Sequence, residues 1–495
     1  MRDKNKGNVT KVRLQNVGNQ YFAVLIANLI CIGHGNLLGW MSPSLPTLLS
    51  ETTPLKTGPL NNEQLSWVGS INSIGALCGT FSTGLLTTFI GCKRAMIFLT
   101  LPSLIFWVLV FIGDTYYHVL IARIFTGWTG GGIQTTLILF TSDIANDNIR
   151  GRLGCFTPLA RNIGILMAYI VGAAVNYFIV PCIFIFIPIL FVVCFSFLPN
   201  TPQYHLLRGE SKEAEDSLKF YKGFKGKNDE ESNALNEEFE RLKSIAHEKK
   251  ADEKIDPKDI FNKAAIRGLV IGVVLAWLTQ LTGTFIFSTY AVLIFKKVGV
   301  SRIDPYVASI VMACVQIFGS FCTTQISDHL GRKFLVLSSL FGAAFGLCSF
   351  AMYAYLGHVG FDLSSYDWIP VICLCFVIFI ASAGIIPLAV VCTVENLPSK
   401  IRTLGLTIST FGYNFACFTC LKLFPLLMEM IGLHCCMAIL GIGCILGALF
   451  VFTVMEETMG RSLEQVDKEV ARVHKKSYGQ LPTYVPTVET CPDKK

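Results

Sequence analysis

Residues 21–49 read YFAVLIANLICIGHGNLLGWMSPSLPTLL, a run with no acid, lysine or arginine in it. A helix crossing the hydrocarbon core needs roughly 20 mostly apolar residues, because lipid offers backbone donors and acceptors no water to bond. The run is long enough to be such a helix. The preceding MRDKNKGNVT is basic like the start of a signal peptide, but the apolar stretch is too long for one and lacks a persuasive cleavage site. Working outward, five similar runs follow at 67–87, 95–113, 119–140, 153–178 and 181–198. Six more lie at 266–295, 306–327, 334–356, 368–393, 404–430 and 435–455. The composition agrees: 52% hydrophobic and only 15% charged residues over 495 positions, with a mean hydropathy of +0.54, exclude a string of soluble domains. The fold expected is an all-α membrane protein of twelve transmembrane helices.

The net charge of +7 does not mark a nucleic-acid binder, because the cations alternate along the chain instead of lining one face. Basic residues precede the first run (Arg2, Lys4, Lys6, Lys11, Arg13), follow the second (Lys93, Arg94) and the fourth (Arg150, Arg152), and recur at Arg332, Lys333, Lys400 and Arg402. The turns 114–118 and 358–367 carry no Lys or Arg, which by the positive-inside bias puts both termini in the cytosol. Lys296, Lys297 and Arg302 fall on the wrong side of this pattern. Most of the 18 Cys lie within apolar runs, where Cys acts as a small hydrophobe. CFTC at 417–420 has a metal-like spacing but no His or acid nearby, so packing is the stronger reading. The sequon at Asn8 falls in the cytosolic leader, where it stays unglycosylated. No cofactor is expected.

Between 199 and 264 the composition turns to Lys, Glu, Asp and Asn with helical patterning, a cytosolic helical linker. The expected organisation is a cytosolic N-terminus (1–20), a six-helix bundle (21–198), the linker (199–264), a second six-helix bundle (265–455) and a cytosolic tail (456–495). The two halves repeat. IGCKRAM at 90–96 matches the end of SDHLGRKFL at 327–335, with Gly91 and Gly331 as counterparts. Asp143 stands seven positions before Arg150, and Glu395 seven before Arg402. Such pairs at cytosolic helix ends can latch two bundles together, or can be ordinary interfacial anchors. Their recurrence favours the latch. GALCG (75–79), GWTGG (127–131), GAAFG (342–346) and GCILG (443–447) carry small residues four apart, which let helices approach closely.

Two polar residues inside apolar runs bear on function. Gln280 offers donor and acceptor capacity that suits a hydroxyl-rich solute, or an interhelical hydrogen bond. Arg161 binds an anionic solute, pairs with a carboxylate, or faces water at a different register.

SPSLPTL, ARIFTGWTGGG, IRGRLG, NIGILMAYIVG, PNTPQYHLLRGESKEAEDSLKFYKG, TQLTGTFIFSTYAVLIF, SDHLGRK, VENLPSKIR and EETMGRSLEQV together resemble the sugar porter family of the major facilitator superfamily, most of all insect facilitated trehalose transporters and glucose facilitators. The resemblance covers nearly the whole chain and implies the major facilitator fold, two pseudo-symmetric six-helix bundles around a site near the bilayer midplane. Thr279, Gln280 and Tyr290 match the family's seventh-helix binding stretch, Gln316 an amide of the eighth, and Asn162 lies in the trehalose-type NIGIL motif. Tyr413 and Asn414 stand where the second of two stacking tryptophans is expected. The cytosolic network implied is Arg123, Asp143, Arg150, Asp328, Arg332, Lys333, Glu395 and Arg402, with Arg123 a candidate partner for Asp143 or Glu395.

The departures matter. Thr279 replaces one of two usual glutamines, Phe285 an asparagine, Pro158 a glutamine and Val390 the first tryptophan, while Thr88 and Cys92 replace the acid and first base of the first-half cytosolic motif. No acid occurs in the first helix to couple protons, and no GxxxxGK[ST] loop is present for ATP. The function implied is therefore facilitated diffusion of a hexose or trehalose-like disaccharide, by a monomer in the plasma membrane with lipid as its surroundings. The alternatives are a facilitator of another polar solute, such as a polyol or organic anion, and a non-transporting sugar sensor. An enzyme has no nucleophile or metal constellation to support it.

Overall fold

The computed structural model describes residues 17–223, 229–250, 262–300, 302–326, 330–398 and 401–457. The Asn8 sequon, Asp328, Lys400 and the tail beyond residue 457 lie outside them. Twelve helical runs follow: α1 Gly18–Leu48, α2 Asn62–Ile90, α3 Cys92–Ile112, α4 Tyr116–Ile144, α5 Asn148–Ala174, α6 Ile179–Ser196, α7 Ala265–Val298, α8 Pro305–Ile326, α9 Arg332–Val359, α10 Ile369–Glu395, α11 Arg402–Met430 and α12 Gly432–Val454. Eleven are apolar and long enough to cross a membrane. The other, α4, has the same reach at 29 residues, but its glycines and threonines dilute its hydropathy.

Those glycines have a use. A Cβ on Gly127 would sit 1.7 Å from the Asn72 carbonyl oxygen, and one on Gly75 2.1 Å from that of Ile124. The GALCG and GWTGG stretches thus face each other, and α2 and α4 touch backbone to backbone.

Because successive helices alternate in direction, the starts of α1 and α7, the linker and residue 457 share one end of the molecule, here the linker end; the opposite end is the far end. The sequence repeat reappears at the linker end. Gly91 and Gly331 precede α3 and α9 with φ of 83° and 82°, a left-handed setting that suits glycine. Two residues on, Lys93 donates to the Ser196 carbonyl that ends α6 (2.9 Å), and Lys333 to the Phe452 carbonyl near the end of α12 (2.8 Å). In the second half Glu457 also accepts from the Arg332 and Lys333 backbone N–H groups at 2.8 and 3.1 Å, a carboxylate capping the positive end of α9. Its neighbour Glu456 pairs with Arg267 at 2.9 Å.

The linker forms helices Pro202–Arg208, Ser211–Lys222 and Asp229–Lys250. It docks on the first half: Asn19 donates to the Phe220 carbonyl (2.7 Å) and Lys222 to Asn146 Oδ1 (2.5 Å), while the Tyr221 ring packs edge-on against Phe140.

At the far end the Arg302 backbone N–H donates to the Asp367 carboxylate at 2.8 Å, and its guanidinium stands 3.9 Å from the same carboxylate. One of the three cations that break the alternating charge pattern therefore has a counter-charge beside it.

Candidate functional site

The two halves meet along α2 with α11, α5 with α8, and α1 with α7. Toward the far end the contacts are polar and close. Lys422 on α11 donates to Ser66 Oγ on α2 (2.7 Å), with its ammonium 4.1 Å from the centre of the Trp67 ring. Tyr169 on α5 donates to the Ser288 carbonyl on α7 (2.6 Å), and the Val292 N–H to Ser42 Oγ (3.1 Å). The Lys422 contacts are charge-assisted and cation–π, worth roughly 0.5–3 kcal/mol, and the two neutral hydrogen bonds roughly 0.5–1.5 kcal/mol each, so the far end is held shut.

At mid-depth a cavity of about 20 Å³ lies between the halves, with Asn72 of α2, Arg161 of α5, Phe285 of α7 and Gln316 of α8 among its walls. That is room for about one water. A solute of sugar size enters only when the halves move apart. Just beside it, Asn162 Nδ2 donates to Ser320 Oγ (2.8 Å), which in turn donates to the Gln316 carbonyl (3.0 Å).

Several polar atoms at this depth are buried without a hydrogen-bond partner among the described residues: both carboxamide atoms of Gln280 (1% exposed) and of Asn36 (0%), and the Oδ1 atoms of Asn72 and Asn162. An orphaned buried polar group costs about 1–3 kcal/mol. Amides that the chain itself leaves unbonded are available to something that arrives.

The expected solute residues divide accordingly. Gln316 lines the cavity, Asn162 adjoins it, and Gln280 is unbonded at the same depth. Tyr413 packs edge-on against the cavity's Phe285 at 5.9 Å. Thr279 and Asn414 instead donate to carbonyls of their own helices, Ala276 and Thr410. Tyr290 is fully buried, stacked on Phe424, and donates to the Leu421 carbonyl (3.1 Å), a prop between α7 and α11. Val390, in the place of a stacking tryptophan, is 52% exposed and offers no ring. Asn36 and Asn72 were not singled out from sequence, although the signal is the one that found Gln280: an amide within an apolar run.

The cytosolic network needs correcting in two places. Arg123 cannot meet Asp143 or Glu395: it lies twenty residues from Asp143 on the same helix, about 30 Å, and at 0% exposure it donates to the Val68 and Leu37 carbonyls at 3.0 and 3.4 Å. Glu395 pairs with Arg332 across α9 and α10 (3.7 Å), inside its own half, not with Arg402. The seven positions from Glu395 to Arg402 run through the turn between helices, because α10 ends at Glu395 and α11 begins at Arg402. Arg402 keeps two buried guanidinium nitrogens unbonded among the described residues, and Arg150 donates to the Ser142 carbonyl (3.2 Å). Lys333 serves the α12 carbonyl already described.

A family model described as "Sugar (and other) transporter" matches residues 33–470. The facilitated trehalose transporter Tret1 of Polypedilum vanderplanki is 27% identical over 456 residues, covering 91% of this chain and 88% of that protein. That of Bombyx mori is 28% identical, covering 90% and 86%. Among solved structures, the xylose transporter XylE from E. coli superposes with a TM-score of 0.74 at 18% identity, covering 90% of this chain and 100% of that one.

Proposed function

The chain belongs to the sugar (and other) transporter family, and from that premise we propose that it is a facilitative carrier moving a hexose or a trehalose-like disaccharide down its gradient by alternating access. The observation that carries this reading is the set of mid-depth amides left unbonded by the chain, contributed by both halves and led by Gln280. Amides donate and accept at once, which matches sugar hydroxyls, and a site between two bundles can be opened to either side by rocking them. The curated relatives, facilitated trehalose transporters, support both the solute class and the passive mode. So does the first helix, which offers no acid for proton coupling.

The Lys and Arg distribution supports a cytosolic linker end; on that reading the bonded far end faces outward and the conformation described is closed to the exterior. The plasma membrane is the proposed location. One chain supplies both walls of the site, which supports a working monomer.

Reconstituted in proteoliposomes, the purified chain should take up sugar saturably, show counterflow and stop at equal concentrations. Uphill accumulation abolished by a protonophore would overturn the passive reading. Gln280→Ala should lower uptake at least tenfold with normal reconstitution; unchanged uptake would remove Gln280 from the site.

A further inference from the structure

Arg161 stands where a charge is expensive and its neighbours do nothing to offset it. It lies thirteen residues into α5, about 20 Å from the linker end, lining the mid-depth cavity, half-buried. A guanidinium at the centre of a membrane helix costs roughly 2.5–3.5 kcal/mol even on permissive scales. Among the described residues it has no carboxylate partner. Nor can movement of the bundles supply one, because the acids within α1–α12 are Glu63, Asp143, Glu395 and Glu429, each at a helix end or one residue from it. Arg123, fully buried on α4, is committed to the Val68 and Leu37 carbonyls toward the far end. The cavity therefore presents one uncompensated cation beside the amides Asn72 and Gln316.

We propose that the carried solute is a carbohydrate bearing a single carboxylate, such as a uronate or aldonate, whose carboxylate is the missing counter-ion of Arg161. A guanidinium binds a carboxylate through two parallel N–H donors, while the amides take the hydroxyls. One cation balances one negative charge; a phosphate ester near neutral pH carries closer to two and would leave part of its charge unmatched. The inference rests on the carrier reading above and changes the charge of the solute.

The test uses the purified full-length chain in proteoliposomes, with radiolabelled D-glucuronate and D-glucose and a potassium diffusion potential set by valinomycin. A carried monoanion distributes with the potential, so glucuronate should approach a roughly 50-fold inside excess at 100 mV inside-positive, the ratio that corresponds to about 2.3 kcal/mol per charge. Excess glucuronate should also block any glucose flux. Arg161→Gln should cut glucuronate uptake at least tenfold and lower the ratio of glucuronate to glucose uptake by a similar factor, and Arg161→Lys should restore part of both. If the parent carries glucose, ignores the potential, and glucuronate neither crosses nor competes, this inference falls and the carrier reading stands. Glucuronate carried equally well by the parent and a monodisperse Arg161→Gln variant removes Arg161 from recognition. Should glucuronate, glucose and trehalose all fail to cross and to raise the melting temperature of the parent, both readings fall together. Glucose-6-phosphate displacing glucuronate at lower concentration would overturn the assignment of a single charge.

Discussion

Gln280 is 1% exposed with neither carboxamide atom in a well-formed hydrogen bond, the Tyr413 hydroxyl being a polar neighbour, between Thr279, whose hydroxyl is spent on Ala276, and Leu281. Gln280→Leu should therefore raise the melting temperature, by the equivalent of about 1–3 kcal/mol, while lowering transport. A loss of both stability and transport would make Gln280 a packing residue. Lys56 and Asp114 illustrate the opposite case. They pair at 2.6 Å in the far-end loops, and the hydrogen bond from Lys56 holds Asp114 below the usual carboxylate range. Such a pair contributes above the ordinary Asp pKa and loses its contribution as pH falls through the lowered value. Both side chains are exposed, so the effect is screened; Asp114→Asn should leave the melting temperature in 0.5 M salt within error of the parent, and a large shift would contradict this. Gln280 stands out in the sequence because an amide in an apolar run is conspicuous, and Gln316 because the family resemblance places an amide there. Arg123 was misassigned because its letter reports a charge, while its depth depends on which end of α4 is counted from.

The elements were easier to read than the contacts between them. The Gly91 and Gly331 correspondence was visible as a local pattern, and it survives as the same φ, the same helix start and a lysine two residues later reaching the last helix of its own half. Gly331→Ala should cost about 1–3 kcal/mol, the penalty for a side chain at φ 82° and ψ 145°, a setting all but reserved for glycine; detergent melting curves check this, and an unshifted curve would mean the turn relaxes freely. The Glu395 to Arg332 pair was not legible, since it joins residues 63 positions apart on separate helices. Local spacing suggested Arg402 instead. Facing glycines on α2 and α4 were legible as stripes, but not as partners. Gly127→Val, with the Asn72 carbonyl already in the way, should prevent stable assembly, whereas Gly84→Val, with open space at its Cβ, should not; equal yields of the two variants would contradict the packing described.

At the scale of the whole molecule, twelve apolar runs and a polar linker specified the class of fold, because lipid restricts a chain to few solutions. Which conformation the halves adopt was beyond the sequence, being a balance of small contacts across a mobile interface. If the far end must open during each cycle, linking it should stop the cycle. Cysteines at Trp67 and Phe418, whose rings lie 6.0 Å apart, joined by a short thiol crosslinker, should abolish transport, with recovery when a cleavable linker is reduced. Full transport after complete crosslinking would mean solute passes another way. The linker clamp has a further consequence. Asn19, Phe140, Asn146, Phe220, Tyr221 and Lys222 all belong to the first 223 residues. A ribosome has therefore delivered every part of that clamp before it begins α7, and chains made from one end fold their first unit first. Synthesis order becomes assembly order: the second bundle enters the membrane beside a finished template.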